Sequence, residues 1–383
     1  MLPEILRELF GVSLFDYISV RMAFAAMTAF LLALISGAPV IRWLRANRVQ
    51  ETTGQADSVE LAKHAEETGK DKTTTMGGSF LICSLVVSVL LWARLDNLHV
   101  VFGVVLTAGL AAVGFVDDFK KLTIPGCNGL SRRAKYVGLS AVVLGVLSVL
   151  VWWAEVHGRS GLLVLHPPIF KNASFDFLAY GSVGIAAFLL FEWFVIVGTA
   201  NAVNITDGMD GLAAGCTIIS VLALSIFCYV TGRADWAGYL NIPHVREASE
   251  MAVVGGAMIG ACMGFLWYNA YPAKVFMGDS GSLPLGGVMA WMAVVSKQEL
   301  VLPLIAIVFV LDLLSSLLQT QVYVLTGRGK RIFTLAPIHH GLERHGGIFT
   351  KGGERWHEVT VVVRFWILSA IGAMASLALL KIR

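Results

Sequence analysis

The stretch that decides the fold is "VVFGVVLTAGLAAVGFVDDFKKL", residues 100–122. Its apolar first part approaches the roughly 20 residues that a helix needs to cross a bilayer. The stretch then ends on Asp117 and Asp118, with Lys120 and Lys121 beside them. Carboxylates at a membrane boundary usually face a water-filled cavity, because facing lipid is costly. The stretch therefore predicts a transmembrane helix that carries a polar site at one end.

The composition of the whole chain agrees with a membrane protein. Of its 383 residues 56% are hydrophobic and 14% are charged, with a mean hydropathy of +0.73, whereas soluble domains carry roughly 25% charged residues. The apolar runs are continuous and do not alternate as the strands of a membrane barrel would. We therefore predict an all-α, polytopic membrane protein.

Apolar runs recur from end to end and predict about ten transmembrane helices. They lie near residues 18–40, 76–95, 98–117, 136–154, 181–200, 211–231, 250–268, 281–296, 299–326 and 361–380. The eighth run is short and rich in glycine. We expect a single integral membrane catalytic domain over 1–383, with a flexible polar cytoplasmic loop at 49–75 inside it.

Lysine and arginine set the expected orientation. They concentrate in the segments that follow the first, third and ninth predicted spans, and basic loops stay in the cytoplasm. Both termini are then periplasmic, and the polar motifs after the fifth and seventh spans are cytoplasmic as well. The net charge of +3 is too small to indicate a nucleic-acid partner. The five scattered cysteines contain no CxxC pair, which argues against a disulfide framework or a zinc site.

Adjacent aspartates cannot serve one contact from a helix, since neighbouring residues point about 100° apart. One of Asp117 and Asp118 can bind a metal or act as a base while the other orients a neighbouring group. The alternative is a plain helix end, with the lysines as solvated partners.

A second polar motif is "NITDGMDGL", residues 204–212. Asn204, Asp207 and Asp210 recur every three residues and would share roughly one face of a helix, while Gly208 and Gly211 permit a turn or a close backbone approach. Such a face can hold a base or a sugar by hydrogen bonds. The alternative is a turn between two spans with Asn and Asp as caps.

Two further motifs complete the set. In "FMGDSGS", residues 276–282, Asp279 stands in a glycine-rich segment that leads into a helix; such segments cradle phosphate, and a carboxylate there suits magnesium. In "APIHHGLERHGG", residues 336–347, His339 or His340 can contact phosphate or carry a proton. Carboxylates for magnesium and lysines for phosphate on one membrane face indicate phosphoryl transfer, from a soluble nucleotide-linked donor to a lipid-borne acceptor.

The motifs resemble a known family over about residue 70 to the C-terminus. "KTTTMGG", "FVDDFKK", "GLSRRAKY", "NAVNITDGMDGLA", "FLWYNAYPAKVFMGDSGSLPLGG" and "RIFTLAPIHH…VVVRFWILS" are similar to the phospho-N-acetylmuramoyl-pentapeptide transferases, within the polyprenyl-phosphate N-acetylhexosamine-1-phosphate transferase superfamily. The resemblance implies a ten-helix homodimer in the bacterial cytoplasmic (inner) membrane, with its active site at the cytoplasmic face. It implies transfer of phospho-MurNAc-pentapeptide from UDP-MurNAc-pentapeptide to undecaprenyl phosphate, giving lipid I and UMP, with Mg2+ as cofactor.

The resemblance also implies roles for individual residues. Asp117, Asp118, Asp279 and His339 match catalytic positions, with Asp279 as the magnesium ligand and Asp117 as the candidate base. The implied substrate-binding positions are Lys70, Thr75, Lys121, Lys135, Asn204, Asp207, Gly208, Asp210, Asn269, Phe276 and His340. Transfer in one step, or in two steps through an aspartyl phosphate, is compatible with these residues.

The chain departs from the family pattern in two short motifs. The family has a third consecutive histidine where this chain has Gly341, and it has proline where this chain has Thr74. The 49–69 part of the polar loop is also unusually long and acidic for the family.

Three other functions fit parts of the sequence. A related transferase using UDP-GlcNAc is the nearest, although the "APIHH" and "TMGG" segments disfavour it. A transporter or flippase would place its acids near mid-membrane in paired halves, whereas these acids cluster at one face. A non-catalytic homologue would not need to retain all the expected acids.

Overall fold

A computed structural model describes residues 2–11, 13–47, 73–124, 127–168, 170, 173–327, 329–350 and 352–381. Lys70 and nearly all of the 49–75 loop lie outside these residues. The helices are α1 Leu2–Phe10, α2 Ile18–Ala46, α3 Gly78–Trp92, α4 Leu98–Thr123, α5 Arg132–Val156, α6 Gly181–Thr206, α7 Leu212–Thr231, α8 Ala234–Leu240, α9 Met251–Asn269, α10 Asp279–Ser296, α11 Leu302–Ile305, α12 Ile307–Leu325, α13 Ile338–His345 and α14 Glu358–Ala378.

The prediction of an all-α, polytopic membrane protein is confirmed. Within the described part of the chain, eight helices are long and apolar enough to cross a membrane. Nine of the ten predicted spans each fall on one helix, and the remaining one covers both α11 and α12. The two that stay outside the eight are α3, with 15 residues, and α10, with 18. The count of ten crossings and their orientation stay predictions.

Helix α10 lies at the centre of the bundle, and this position explains its weak sequence signal. Every one of its residues is buried, and it packs mainly against α4 and α6. A helix enclosed by other helices does not need large apolar side chains toward lipid, and small residues let its neighbours approach closely. A Cβ on Gly286, for example, would lie 2.6 Å from Ala200 Cα.

The long helix α2 packs along α9 through small residues. Ala25, Ala29 and Ala33 of α2 are fully buried, and a Cβ on Gly260 of α9 would meet the carbonyl oxygen of Ala26. Close backbone contact of this kind holds membrane helices together where the hydrophobic effect cannot. This contact fixes the position of α9. The C-terminal end of α9 leads directly into the 270–278 loop, which connects it to α10.

The ninth predicted span, 299–326, is wrong as one continuous helix. The structure has α11 and α12 separated at Ala306, and residues 297–301 form the turn after α10. Among the described residues, the only paired strands are Val164–Leu165 and Phe175–Asp176. They form a short antiparallel hairpin in the segment between α5 and α6.

Candidate active site

Three aspartates from two helices meet at one end of the bundle. Asp117 and Asp118 lie in the last two turns of α4, and Asp279 is the first residue of α10. One carboxylate oxygen from each lies within 4.8 Å of the others, and all three residues are buried. The two motifs are more than 150 residues apart in sequence, so the meeting of α4 and α10 creates the cluster.

Asp118 fixes the beginning of α10. Its carboxylate accepts hydrogen bonds from the backbone N–H of Asp279 at 3.3 Å and of Ser280 at 2.9 Å. The first N–H groups of a helix lack partners within the helix, and a carboxylate there is favourable for the helix dipole. Gly278 lets the Asp118 carboxylate come close to the backbone at the start of α10. It has φ +72°, and a Cβ at this position would lie only 2.7 Å from Asp118 Oδ2. Asp118 therefore orients Asp279, one of the two roles expected for an adjacent pair.

Two lysines neutralise part of the negative charge of the three carboxylates. Lys121 Nζ lies 2.6 Å from Asp117 Oδ2, 3.6 Å from Asp118 Oδ1 and 3.5 Å from Asp279 Oδ2. Lys135 Nζ, from α5, lies 2.5 Å from Asp279 Oδ2. Among the described residues of the site, three carboxylates and two ammonium groups leave one net negative charge, which favours a further cation.

Asn204 on α6 holds the other side of Asp279. Its Nδ2 group donates to Asp279 Oδ1 at 2.5 Å and to Ser282 Oγ at 2.9 Å. Both carboxylate oxygens of Asp279 thus have partners on different helices. This arrangement fixes the rotamer of Asp279 from two sides.

The loop before α5 covers Asp117. The backbone N–H of Leu130 donates to Asp117 Oδ1 at 2.7 Å. Gly129 has φ +85°, and a Cβ there would lie 2.7 Å from the same oxygen. The glycine of the "GLSRRAKY" motif is thus needed for the close contact of this loop with the carboxylate.

The "TTTMGG" segment borders the site from a third direction. Thr74 pairs with Val275 in a parallel bridge, and the N–H of Phe276 donates to the carbonyl of Thr74 at 2.8 Å. Thr75 is half-buried, and its Oγ1 would lie 3.2 Å from a Cβ on Gly278. The last residues of the predicted 49–75 loop are therefore built into the wall of the site.

The histidines lie beside the loop that follows α6. His339 and His340 are in the first turn of α13, with ring centroids 4.3 Å apart. A Cβ on Gly208 would lie 2.9 Å from His339 Nε2 and 3.0 Å from His340 Nε2. Asn204 contacts Asp279 of the acidic cluster, and Gly208, four residues later, lies beside the two histidines. The histidines and the acidic cluster therefore both lie near the end of α6.

Comparisons with known proteins decide the family. A sequence profile of glycosyl transferase family 4 matches residues 100–297. A phospho-N-acetylmuramoyl-pentapeptide-transferase of Koribacter versatilis (strain Ellin345) is 41% identical over 97% of this chain and 95% of its own length. A protein of the same name from Maricaulis maris (strain MCS10) is 41% identical over 97% of this chain and 96% of its own length. The chain belongs to the phospho-N-acetylmuramoyl-pentapeptide transferase family.

Two residues that the family resemblance marks for substrate binding also make contacts within the protein, and their role toward the substrate stays a prediction. Asn269 accepts from the N–H of Gly211 at 3.0 Å and donates to the carbonyl of Val275 at 2.9 Å. Asp210 Oδ2 accepts from the N–H of Ala273 at 2.9 Å. In this transferase both side chains join the loop after α6 to the loop after α9.

The expectation that Asn204, Asp207 and Asp210 share a helical face is wrong. Helix α6 ends at Thr206, Asp207 is its half-buried C-cap, and Asp210 lies in the following loop. Gly211 has φ +79° and begins α7. The glycines of the motif therefore form the turn that was the alternative interpretation.

Gly341 replaces the third histidine of the family at a crowded position. A Cβ there would lie 2.9 Å from Thr334 Oγ1 and 3.3 Å from the carbonyl oxygen of Leu335. Thr334 Oγ1 in turn donates to the carbonyl of Gly347 at 2.7 Å. In this member of the family the position packs against a neighbouring loop and has no room for an imidazole.

Sequence reasoning missed several residues that hold the site together. Ser282 supports Asn204, Glu358 accepts from the N–H of Asp210 at 2.9 Å, and Asp312 contacts His339. Ser282 lies three residues after Asp279, the spacing of one helical turn, and this signal was available. Asp312 stands alone in an apolar run, which is itself an indication of function.

The donor chemistry of the three aspartates fits magnesium. Mg2+ prefers carboxylate and phosphate oxygens and is bound in proteins by one or two carboxylates together with substrate phosphates. The cluster offers such oxygens in a compact, buried arrangement with a net negative charge. Asp117, Asp118 and Asp279 are therefore the residues that would hold the ion.

Proposed function

We propose that this chain transfers phospho-MurNAc-pentapeptide from UDP-MurNAc-pentapeptide to undecaprenyl phosphate at the cytoplasmic face of the bacterial inner membrane. As a member of its family, it is a phospho-MurNAc-pentapeptide transferase of peptidoglycan synthesis. The products of the reaction are lipid I and UMP.

One observation supports the proposed site most strongly. Three buried carboxylates, two lysines and an asparagine converge at one end of membrane helices. Phosphoryl transfer depends on positioning and on neutralising charge, more than on covalent chemistry by the protein. A buried, charged cluster at the membrane boundary suits a reaction between a soluble nucleotide and a phosphate carried by lipid.

Each residue of the cluster has its own role in the proposed reaction. Asp279, with Asp117 or Asp118, would hold Mg2+, and the ion would supply positive charge to the diphosphate of the donor and to the leaving UMP. Lys121 and Lys135 donate hydrogen bonds to phosphate oxygens as mobile point charges. Asn204 and the N-terminal cap from Asp118 keep Asp279 in place.

The bond changes follow from this arrangement. An oxygen of undecaprenyl phosphate attacks the β-phosphorus of the donor, and the bond from that phosphorus to the oxygen of UMP breaks. Asp117 accepts a proton from the acceptor phosphate or orients it. We favour direct displacement, because Asp117 is already held by the N–H of Leu130 and by Lys121, which leaves its carboxylate poorly placed as a nucleophile.

The remaining substrate contacts are assigned by position. We propose that Thr75, Gly208, Phe276 and His340, which lie on the segments beside the acidic cluster and on α13, contact the nucleotide or the sugar. Lys70 is proposed for the same role from the sequence alone. We also propose that the chain acts as a homodimer.

The test is release of UMP by detergent-purified protein given undecaprenyl phosphate, Mg2+ and one of two donors. We expect release from UDP-MurNAc-pentapeptide that requires the lipid and stops on addition of EDTA. We expect none from UDP-GlcNAc. Release from UDP-GlcNAc alone would assign the chain to a related transferase, and release from neither by folded protein would refute the proposal.

A further inference from the structure

A buried aspartate contacts His339 through the ring nitrogen Nδ1, and the other ring nitrogen lies beside Gly208. Asp312 lies on α12, and its Oδ2 is 2.8 Å from His339 Nδ1. Neither side chain is exposed at all. Asp312 lies inside a helix that is apolar enough to cross the membrane, where an ionisable residue is costly and marks function by default.

The chemistry of the pair determines which nitrogen carries the proton. When the Asp312 carboxylate is ionised it can only accept hydrogen bonds, and Nδ1 of His339 is then the donor. In the neutral ring the other nitrogen, Nε2, is then an acceptor. A carboxylate that holds one ring nitrogen in this way fixes both the tautomer and the orientation of the imidazole.

The other ring nitrogen points to the proposed site and has no hydrogen-bond partner among the residues that the structure describes. His339 Nε2 is a buried atom without a hydrogen bond in the structure. It lies at the loop after α6, where a Cβ on Gly208 would be 2.9 Å away. A buried nitrogen without a partner is unfavourable unless a ligand supplies one.

We propose that Asp312 is a positioning residue for the transfer reaction: it holds His339 with the proton on Nδ1, so that Nε2 accepts from, or once protonated donates to, the bound substrate. Asp312 itself does not touch the substrate. The inference rests on the proposed function, since it concerns the same reaction, and it adds a residue outside every motif of the sequence analysis.

A double-mutant cycle on turnover tests the coupling. We expect Asp312→Asn to lower kcat about 10- to 100-fold, as loss of an orienting carboxylate does elsewhere, with a smaller change in KM. In the His339→Asn background the same substitution should have no further effect, because the residue acts only through the histidine. Asp312→Glu should restore part of the rate.

Two controls separate positioning from a structural role. Ser315→Ala changes a buried residue one turn along α12, whose hydroxyl donates to the carbonyl of Asp312, and should leave kcat unchanged. The thermal midpoint of each variant reports folding independently of activity. If Asp312 had only a structural role, Asp312→Asn would lower turnover in the His339→Asn background as much as in the wild type. That result would overturn the proposal.

A spectroscopic measurement covers the case in which His339→Asn has no measurable turnover. In protein labelled with 15N at histidine, the ring signals that disappear in His339→Asn identify the residue. We expect a proton on Nδ1 and none on Nε2 in the neutral ring, and a changed tautomer in Asp312→Asn. An unchanged tautomer would overturn the proposal, whereas wild-type protein without UMP release would refute the proposed function and leave this result standing.

Discussion

At the scale of single residues, Gly341 shows how a departure from a family motif can be explained by packing. The position is closed by Thr334 Oγ1 and by two backbone carbonyls. We expect Gly341→His, which restores the three-histidine motif, to lower both the thermal midpoint and the rate of UMP release. Gly238→His is the matched control, because nothing lies within 4 Å of a Cβ there. A faster Gly341→His enzyme would show that the third histidine has a role that this packing hides.

The neighbouring His340 carries a prediction about pH. Burial, and then the charge of His339, lower the pKa of His340 from 6.5 to about 4. The unfolded chain therefore binds a proton at higher pH than the folded protein does. The stability that the neutral ring contributes is complete above about pH 6.5 and is lost as the pH falls toward 4. We expect the thermal midpoint of His340→Gln to fall less between pH 7 and pH 4 than that of the wild type.

An exposed histidine provides the comparison for this effect. His244 lies on the surface of the structure, and we expect His244→Gln to retain the pH dependence of the wild type. If His340→Gln also retained the pH dependence of the wild type, the His340 ring would have to be charged or solvated in the folded protein.

At the scale of helices, a buried ion pair joins three elements at the end opposite to the proposed site. Arg21 of α2 forms a bidentate pair with Glu250, which also accepts from the N–H of Arg94 at 2.8 Å. Removing one partner of a buried pair leaves the other charge uncompensated and costs about 3–5 kcal/mol. We expect Glu250→Gln to lower the thermal midpoint clearly in detergent.

An exposed pair tests whether burial is the reason. Arg233 and Asp235 also form a bidentate contact, but they lie on the surface, where ion pairs add little. Asp235→Asn should leave the midpoint unchanged. Equal effects of the two substitutions would contradict the role of burial.

The same scale shows what the sequence could and could not predict. The helices were predictable, because the length of an apolar run and its charged end are local properties, as in residues 100–122. The break at Ala306 was missed although Pro303 stands three residues before it, because the surrounding residues are apolar throughout and proline is also tolerated in the first turn of a helix. Helix α10 gave only a weak signal, because complete burial among helices removes the need for large apolar side chains.

The candidate site was predictable as a set of residue types but not as a geometry. Asp117, Asp118 and Asp279 were singled out from their motifs, and the structure brings them together. That Asp118 caps α10, and that Asn269 and Asp210 join two loops, depends on contacts between residues far apart in sequence. Asp312 was missed because a lone aspartate in an apolar run gives no partner until the fold supplies His339.

At the scale of the whole molecule, orientation in the membrane is the main prediction still to be tested. The distribution of lysine and arginine places the loop after α12 in the cytoplasm and the loop after α5 outside. Gly329 and Gly161 lie in these loops and are exposed. In a background without the native cysteines, an impermeant thiol reagent should label Gly161→Cys but not Gly329→Cys in intact spheroplasts. The reverse pattern would place the acidic cluster outside the cell.

The most direct test of the account is one substitution at the centre of the cluster. UMP release from UDP-MurNAc-pentapeptide is measured with undecaprenyl phosphate and Mg2+ for the wild type, Asp279→Asn and the surface control Asp235→Asn. We predict that Asp279→Asn loses at least about 100-fold in rate while remaining folded, and that Asp235→Asn keeps the wild-type rate. A folded Asp279→Asn protein with near wild-type turnover would contradict the claim that the three aspartates form the reaction centre.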